Sequence, residues 1–261
     1  MRLRARIAYD GTDFGGWQSQ SGRGETIQET LEAALSTVLR REVRVVAAGR
    51  TDAGVHAAGQ VIAFDVDGAP FPPGAVADPG GLAPLDGLLR SANAVLPASI
   101  VLLDLRATRP DFSPRRDAVR RAYRYRIWNS PVRSPFEART SWHVRERLDD
   151  RAMARGAEAL VGEHDFSSFQ GADNVPRTSV RRVESCEVVR DRERVEVRIV
   201  ANAFVRHMVR NVVGELVEVG LGRRGPEDVA RLLAARDRAM APAPAPPSGL
   251  FLERVDYEED R

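Results

Sequence analysis

The sequence predicts an α+β protein of two halves, each with a mainly antiparallel sheet flanked by helices. The first part of the chain alternates between strand-like and helix-like periods in the order strand, helix, two strands, helix, strand. This order is typical of a split β-α-β sandwich. The second part carries a similar mixture of elements, and a stretch near residues 106–118 joins the two. We therefore predict two pseudo-symmetric halves, residues 1–108 and residues 109–261.

The elements of the first half follow from period and capping. Leu3–Tyr9 alternates between polar and apolar residues, which predicts a first strand. Thr26 with Glu29 three residues later forms a capping box, and apolar residues follow it at helical spacing. Residues 67–84 are rich in proline, glycine and alanine and predict a surface excursion. The remaining predictions are strands at Val43–Ala47, Val61–Val66 and Ile100–Leu105 and a helix at Leu85–Leu96.

The second half is predicted in the same way. The predicted strands are Ala122–Ile127, Val180–Arg190, Arg194–Val200 and Leu250–Val255, and the predicted helices are Asp149–Leu160, Phe204–Val219 and Pro226–Ala235. Strand period places Tyr123 and Tyr125 on one face and Arg124 and Arg126 on the other. The proline-rich tract 241–247 excludes a helix or an inner strand there.

Composition indicates a soluble globular protein of the cytoplasm. The chain has 261 residues, 43% of them hydrophobic and 29% charged, with a net charge of only +2. No apolar run approaches the ~20 residues of a membrane span, and the first residues lack the apolar core of a secretory signal. Cys186 is the single cysteine and is expected to be a small core residue. Every cation is an arginine, the side chain that best forks onto phosphates and stacks on bases.

The sequence predicts no metal and no organic cofactor. The four histidines are scattered and have no zinc-like spacing to another ligand. Neither a phosphate-binding loop nor a dinucleotide fingerprint occurs.

The stretch from Ala48 to Gln60 holds the strongest candidate for chemistry. Asp52 stands beside Arg50 in a glycine-punctuated loop between two predicted strands. A neighbouring arginine favours the ionised carboxylate that a nucleophile requires. The alternative is a turn aspartate that hydrogen-bonds its own backbone. No second carboxylate has a spacing that would suit a glycosidase.

Two further groups leave alternatives open. The Tyr123 strand is either an aromatic platform for a base, with arginines for phosphates, or a half-buried strand with a solvated charged face. Arg206 and Arg210 are four residues apart and share a helix face. By themselves they favour two exposed arginines over one that turns inward to pair with a buried acid.

Several motifs together resemble one family. Gly49–His56 with Gly59–Val61 is similar to the active-site motif of the tRNA pseudouridine synthase A family. The resemblance continues in chain order over nearly the whole sequence. It includes Tyr9–Thr12, Gly16–Gln18, Asn93–Pro97, Tyr123–Tyr125, Asp165–Phe169, Arg177–Thr178, Ala201–Gly214, Gly249–Leu250 and Val255–Tyr257.

The resemblance implies a fold, an activity and a set of site residues. It implies the pseudouridine synthase fold with an active-site cleft between the halves, and conversion of uridine to pseudouridine at positions 38, 39 and 40 of the tRNA anticodon stem-loop. Asp52 matches the nucleophile, and Tyr123 matches the tyrosine that packs against the target base and is a candidate for proton transfer at ring carbon 5. Arg50 matches an arginine that helps evert the nucleotide, and Arg210 matches the cation that pairs with the aspartate. The family uses no metal or cofactor and works as a homodimer, with one tRNA spanning both subunits.

Two other functions fit parts of the pattern. A non-catalytic RNA-binding module would use Tyr123 and Tyr125 and leave the RNA unchanged. A nucleoside hydrolase would use Asp52 and release free uracil. Within the isomerase hypothesis, attack by Asp52 on the sugar and attack on the ring both remain open. The segment 67–84 is longer than is typical of the family, and Phe14 stands where tyrosine is frequent.

Overall fold

The computed structural model describes residues 1–18, 24–66, 83–171 and 178–258, and it divides into two compact units. The first unit comprises Met1–Ala118 and Leu252–Arg261, and the second comprises Val119–Phe251. The domain boundary after residue 108 stays a prediction. The predicted excursion at 67–84 lies outside the described residues, except for its last two, which begin a helix. Arg177 also lies outside them.

Strands and helices alternate irregularly along the chain. In order they are β1 (Arg2–Tyr9), α1 (Ile27–Leu39), β2 (Val46–Ala47), β3 (His56–Asp65), α2 (Ala83–Val95), β4 (Ile100–Ala107), β5 (Ala118–Asn129), β6 (Trp142–Val144), α3 (Asp150–Glu158), β7 (Gly162–Asp165), β8 (Val180–Asp191), β9 (Arg194–Ala201), α4 (Met208–Gly220), α5 (Glu227–Ala235) and β10 (Leu250–Tyr257).

The first unit is a sheet with two helices, in which β1 is antiparallel to β3 and β4, and β2 is antiparallel to β3. Its strands run in the order β4-β1-β3-β10, and β2 pairs with β3. The predicted capping box is confirmed, because the Glu29 amide donates to Thr26 Oγ1 and the Thr26 amide donates to Glu29 Oε2 at 3.1 Å. α1 buries Ile27, Leu31 and Leu35 and packs on α2, which packs on β4.

The second unit is a sheet of order β5-β9-β8-β7, antiparallel throughout, with β6 added in parallel to β5. α3 packs on β8 and α4. Its N-cap is Asp149, whose Oδ1 accepts from the Ala152 amide at 2.9 Å. Mixed helices and mainly antiparallel sheets in both units confirm the predicted α+β class.

Three of the differences between the predicted and observed boundaries have a local reason. α4 begins at Met208 and not at Phe204, because His207 has a φ of 63° and breaks the right-handed helix. The strand predicted at Val43–Ala47 pairs only over its last two residues. β3 begins at His56, so the second part of the Asp52 motif lies in a strand and not in a loop.

A buried acid on α4 makes the stability of the fold depend on pH. The Glu215 side chain is fully buried, and its Oε2 accepts from Arg224 at 2.7 Å. Its Oε1 has no hydrogen-bond partner among the described residues. Burial raises the pKa of the Glu215 carboxyl above its ordinary value, and the hydrogen bond from Arg224 offsets only part of that rise.

Glu215→Gln is expected to reduce the loss of folding stability that accompanies a rise in pH. A carboxyl with a raised folded-state pKa binds more protons in the folded than in the unfolded protein. Its favourable contribution is therefore complete below the unfolded pKa and is lost as pH rises through the folded pKa. Urea unfolding at a series of pH values from 4.5 to 8 should show the Gln variant gaining relative to wild type as pH rises. Glu218→Gln, on the same helix, is the control, and a pH-independent difference for Glu215→Gln would contradict the expectation.

Candidate functional site

Asp52 lies on a tight loop of the first unit, Gly49–Val55, which we call the Asp52 loop. The loop leads into β3, and its turn is closed by the Val55 amide, which donates to the Asp52 carbonyl oxygen at 3.1 Å. Gly54 supports this turn with a φ of 76°, a conformation that other residues adopt only with strain. Asp52 is half-buried and Arg50 is exposed. The structure thus brings these two predicted site residues together on one loop.

Three hydrogen bonds from separate parts of the first unit hold the Asp52 loop. The buried Thr51 hydroxyl bonds the Tyr9 hydroxyl at the end of β1 at 2.8 Å. The Thr51 carbonyl oxygen accepts from the Trp17 amide at 2.9 Å. The Gln60 side chain, on β3, donates to the Gly49 carbonyl oxygen at 2.7 Å. A carboxylate on a loop tied at these points is pre-positioned, which is what nucleophilic chemistry needs.

Two glycines let neighbouring segments approach the Asp52 loop closely. Gly16 has a φ of 103°, and a Cβ there would lie 2.9 Å from the Thr51 carbonyl oxygen. A Cβ at Gly11 would overlap the Val55 carbonyl oxygen. Motifs that are distant in sequence, around Tyr9 and Gly16, therefore pack directly against the loop that carries Asp52.

His56 is a buried polar residue beside the same loop. It is 1% exposed, and its Nδ1 accepts from the Gly11 amide at 3.1 Å. The Asp10 carboxylate lies 3.2 Å from the same nitrogen. No role for His56, Tyr9 or Thr51 is predicted from the sequence. In the sequence, these three residues stand out only because they belong to the family motifs that include or precede Asp52.

In the second unit, Tyr123 lies on β5 opposite Ile199 of β9. Its ring is half-buried and meets Phe204 edge to face, with centroids 4.9 Å apart. Phe204 lies in the segment just before α4, and this segment therefore supplies the aromatic contact to Tyr123. The aromatic pair fixes the orientation of the Tyr123 ring.

Tyr125 differs from Tyr123 although both point to the same face of β5. Its side chain is fully buried, and its hydroxyl donates to the Pro246 carbonyl oxygen at 2.7 Å. Burial raises the pKa of the Tyr125 phenol, so the phenol stays protonated. A Cβ at Gly249 would lie 2.6 Å from the Tyr125 ring, which makes this contact tight. Tyr125 is a core residue and is not available to stack on a base.

Arg210 lies in the first turn of α4 and is half-buried. Its Nε donates to the Ala245 carbonyl oxygen at 2.7 Å, and its own carbonyl oxygen accepts from the Ala245 amide at 3.0 Å. The proline-rich tract thus holds this arginine in place. The expectation of two exposed helix arginines is wrong, because Arg210 is bonded and Arg206 lies before the helix begins.

The opposite face of β5 carries arginines that form ion pairs with acids and cation–π contacts with an aromatic ring. Arg124 and Arg126 lie 3.6 and 3.7 Å from the Glu196 carboxylate. Both guanidinium groups also lie over the Phe251 ring, at 5.6 and 4.6 Å from its centroid. Arg120 pairs with Glu184 at 3.1 Å. This arrangement favours the interpretation of these arginines as a charged sheet face.

The described part of the chain shows neither a cluster of metal ligands nor a reactive thiol. Within the described ranges, no group of three or more histidine, cysteine, aspartate or glutamate residues could hold a metal ion. Cys186 is buried, and burial raises the pKa of its thiol to about 12, so the thiolate is scarcely populated at neutral pH. No helix in the described ranges is both long and apolar enough for a membrane span.

Known proteins resemble this chain over nearly its full length. The profile of the tRNA pseudouridine synthase family matches residues 5–79 and 157–258. A tRNA pseudouridine synthase A of Methylococcus capsulatus is 45% identical over 260 residues, which cover 100% of this chain and 91% of that protein. Proteins of the same name from Moorella thermoacetica and Geotalea uraniireducens are 42% and 41% identical, each over 98% of this chain and 99% of its own length.

Among solved structures, a chain in the crystal structure of a Cbf5-Nop10-Gar1 complex aligns with 83% of this chain and 54% of its own. It is 10% identical with a TM-score of 0.35, which is too low for a comparison of sites. The resemblance in sequence is decisive by contrast, because the family profile matches more than half of the chain and the relatives cover almost all of it. The chain therefore belongs to the tRNA pseudouridine synthase family, the isomerases that convert uridine in tRNA to pseudouridine.

Proposed function

We propose that this chain isomerises uridine to pseudouridine at positions 38, 39 and 40 of the tRNA anticodon stem-loop, with Asp52 as the nucleophile. The observation that carries the proposal is the half-buried Asp52 on a loop with three hydrogen-bonded tethers, in a chain of this family. Hydrogen bonds from Thr51, Trp17 and Gln60 hold this loop from three directions. An aspartate that only closes a surface turn does not need such tethers.

The reaction suits a site without a cofactor. The bond between the sugar C1′ and uracil N1 breaks, and a bond between C1′ and ring carbon 5 forms. The proton leaves carbon 5 and a proton is gained at N1, so nothing is oxidised and no energy donor is consumed. A nucleophile must hold one fragment while the other rotates, and a dry pocket must keep water from hydrolysing the intermediate.

The other proposed site residues bind the target base, transfer its proton and stabilise charge. Tyr123 packs against the target base and accepts the proton from carbon 5, a role for which the edge-to-face contact with Phe204 orients its ring. Arg50, exposed on the Asp52 loop, helps evert the target nucleotide, since unstacking a base costs a few kcal/mol. The match to the family motif assigns to Arg210 the role of the cation that favours an ionised aspartate.

We further propose that the enzyme acts in the cytoplasm as a homodimer, with one tRNA spanning both subunits and with no metal or organic cofactor. The family to which the chain belongs supports this assembly, and the absence of a cofactor follows from the chemistry above.

Mapping of the product on an unmodified tRNA transcript tests the proposed function. After incubation with the purified protein, mass spectrometry of nuclease fragments should find pseudouridine in the anticodon stem-loop at one or more of positions 38 to 40. Release of free uracil would instead identify a nucleoside hydrolase. Tight, salt-dependent binding with chemically unchanged RNA would identify a binding module and refute the proposal.

A further inference from the structure

An ordered loop of the second unit exposes a large aromatic side chain. The segment Pro131–Arg139, which we call the Phe136 loop, lies between β5 and β6. Phe136 is 91% exposed and Val132 is 71% exposed, the two highest values among the exposed large hydrophobic residues of the described ranges. A phenylalanine presented in this way has no role in the core, and exposed apolar groups that cluster often mark a contact site.

Hydrogen bonds from the flanking strands hold the start of the Phe136 loop. Trp128 Nε1, on β5, donates to the Val132 carbonyl oxygen at 2.9 Å. His143 Nε2, on β6, bonds the carbonyl oxygen of Ser130, the residue just before the loop, at 2.8 Å. Pro131 and Pro135 further restrict its backbone. Little conformational entropy would therefore be lost when the loop binds a partner.

The same loop is anchored by an ion pair between the buried Glu137 and the exposed Arg194. Glu137 is 8% exposed, and its Oε1 accepts from Arg194 Nε at 3.1 Å. The Ser141 hydroxyl donates to the Glu137 carbonyl oxygen at 2.8 Å. Glu137 thus turns inward while its neighbour Phe136 turns out, so the exposure of the phenylalanine is built into the loop.

The two exposed charged residues of the loop are both arginines. Arg133 and Arg139 are exposed, and the only acid in the loop is the buried Glu137. An exposed aromatic ring on a loop that also carries two exposed arginines suits a nucleic acid, because the ring can stack on a base while arginine binds phosphate. A second copy of the chain fits less well, since a two-fold contact centred on the loop would bring the same arginines towards each other.

We propose that the Phe136 loop is a second RNA contact, in which Phe136 stacks on an unpaired tRNA base and Arg133 binds a neighbouring phosphate. The proposal rests on the proposed function, because it takes tRNA as the ligand. The contact is remote from Tyr123, since Asn129, at the end of β5, is six positions after Tyr123, about 20 Å along the strand. The loop therefore binds a part of the RNA other than the target nucleotide.

Phe136→Ala tests the proposal without disturbing the fold, because the side chain is almost fully exposed. Binding of full-length unmodified tRNA by the full chain should weaken about tenfold, in line with the loss of one stacked base. Phe136→Trp should retain wild-type affinity. Val161→Ala, which truncates another exposed apolar residue of the same unit (44% exposed), is the matched control and should not change the Kd.

Arg133→Ala provides an independent test of the phosphate contact. It should weaken binding and lower the slope of log Kd against log salt by about one, as expected for one lost phosphate contact. The single-turnover rate at saturating tRNA should stay at the wild-type value in both variants, since neither residue belongs to the proposed catalytic site.

Two results would overturn the proposal. One is an unchanged Kd for Phe136→Ala with full-length tRNA. The other is a drop in mass on sedimentation equilibrium for Phe136→Ala relative to wild type, which would show that the loop is occupied by a second copy. The binding measurement does not depend on turnover, so a wild-type protein that binds tRNA through Phe136 but forms no pseudouridine would refute the proposed function alone.

Discussion

Asp52→Asn is expected to abolish pseudouridine formation, with the single-turnover rate falling at least about 10³-fold, as is typical when a catalytic nucleophile is removed. The amide has nearly the same shape as the carboxylate, so the three tethers of the Asp52 loop, which use Thr51 and Gly49 and not the Asp52 side chain, should persist. An amide nonetheless lacks the negative charge that nucleophilic attack requires. The Kd for tRNA should stay within roughly tenfold of wild type, about 1.4 kcal/mol.

The rate is measured best by release of tritium from tRNA that carries the label at carbon 5 of uridine, with enzyme in excess over RNA. Asp13→Asn, an exposed acid of the same unit, is the control and should turn over normally. Full activity of Asp52→Asn would eliminate the nucleophile assignment. A loss of both activity and tRNA binding would instead indicate that the substitution damages the loop.

Periodicity and capping were enough to predict most of the fold. The capping box at Thr26 placed the start of α1 correctly, and the helix predicted at Asp149–Leu160 is α3. Such signals are local, because a helix face or an N-cap is determined by residues within a few positions of each other. The same argument explains why the bounds predicted for the strands β8 and β9 agree with the structure to within one residue.

Elements without a local signal were missed or misplaced. β6 and β7 have only three and four residues, too few to show a period. The start of α4 was misplaced because its helical pattern extends through His207, whose left-handed backbone conformation comes from its tertiary surroundings. β3 begins earlier than predicted because the motif residues from His56 to Gln60 are needed for pairing as well as for the site.

The sequence suggests candidate site residues, which stay predictions, but it does not suggest the contacts that hold them. Asp52 and Arg50 were identified from a glycine-punctuated loop and from the family motif. The Thr51 to Tyr9 hydrogen bond joins residues 42 positions apart, and no spacing rule connects them. Helix spacing alone favours an exposed Arg210, because nothing in its helix indicates that Ala245, from a tract far along the chain, bonds its guanidinium group.

Tyr123→Phe is expected to bind tRNA normally and to lose turnover by about 10² to 10⁴-fold, the usual contribution of a general acid or base. Phenylalanine keeps the ring that meets Phe204 edge to face, so packing against the target base should persist. Only the phenolic oxygen is lost, and with it the proposed acceptor of the carbon 5 proton. The tritium-release assay reports this step directly.

Tyr125→Phe is the matched control on the same face of the same strand. Its hydroxyl bonds the Pro246 carbonyl oxygen in the core, so its removal should lower the free energy of unfolding by about 1 kcal/mol while the folded enzyme turns over at the wild-type rate. The two variants separate a chemical role from a structural one, because each deletes one phenolic oxygen from β5. If Tyr123→Phe releases tritium at the wild-type rate, the phenol does not take the proton, and the ring serves only as a floor for the base.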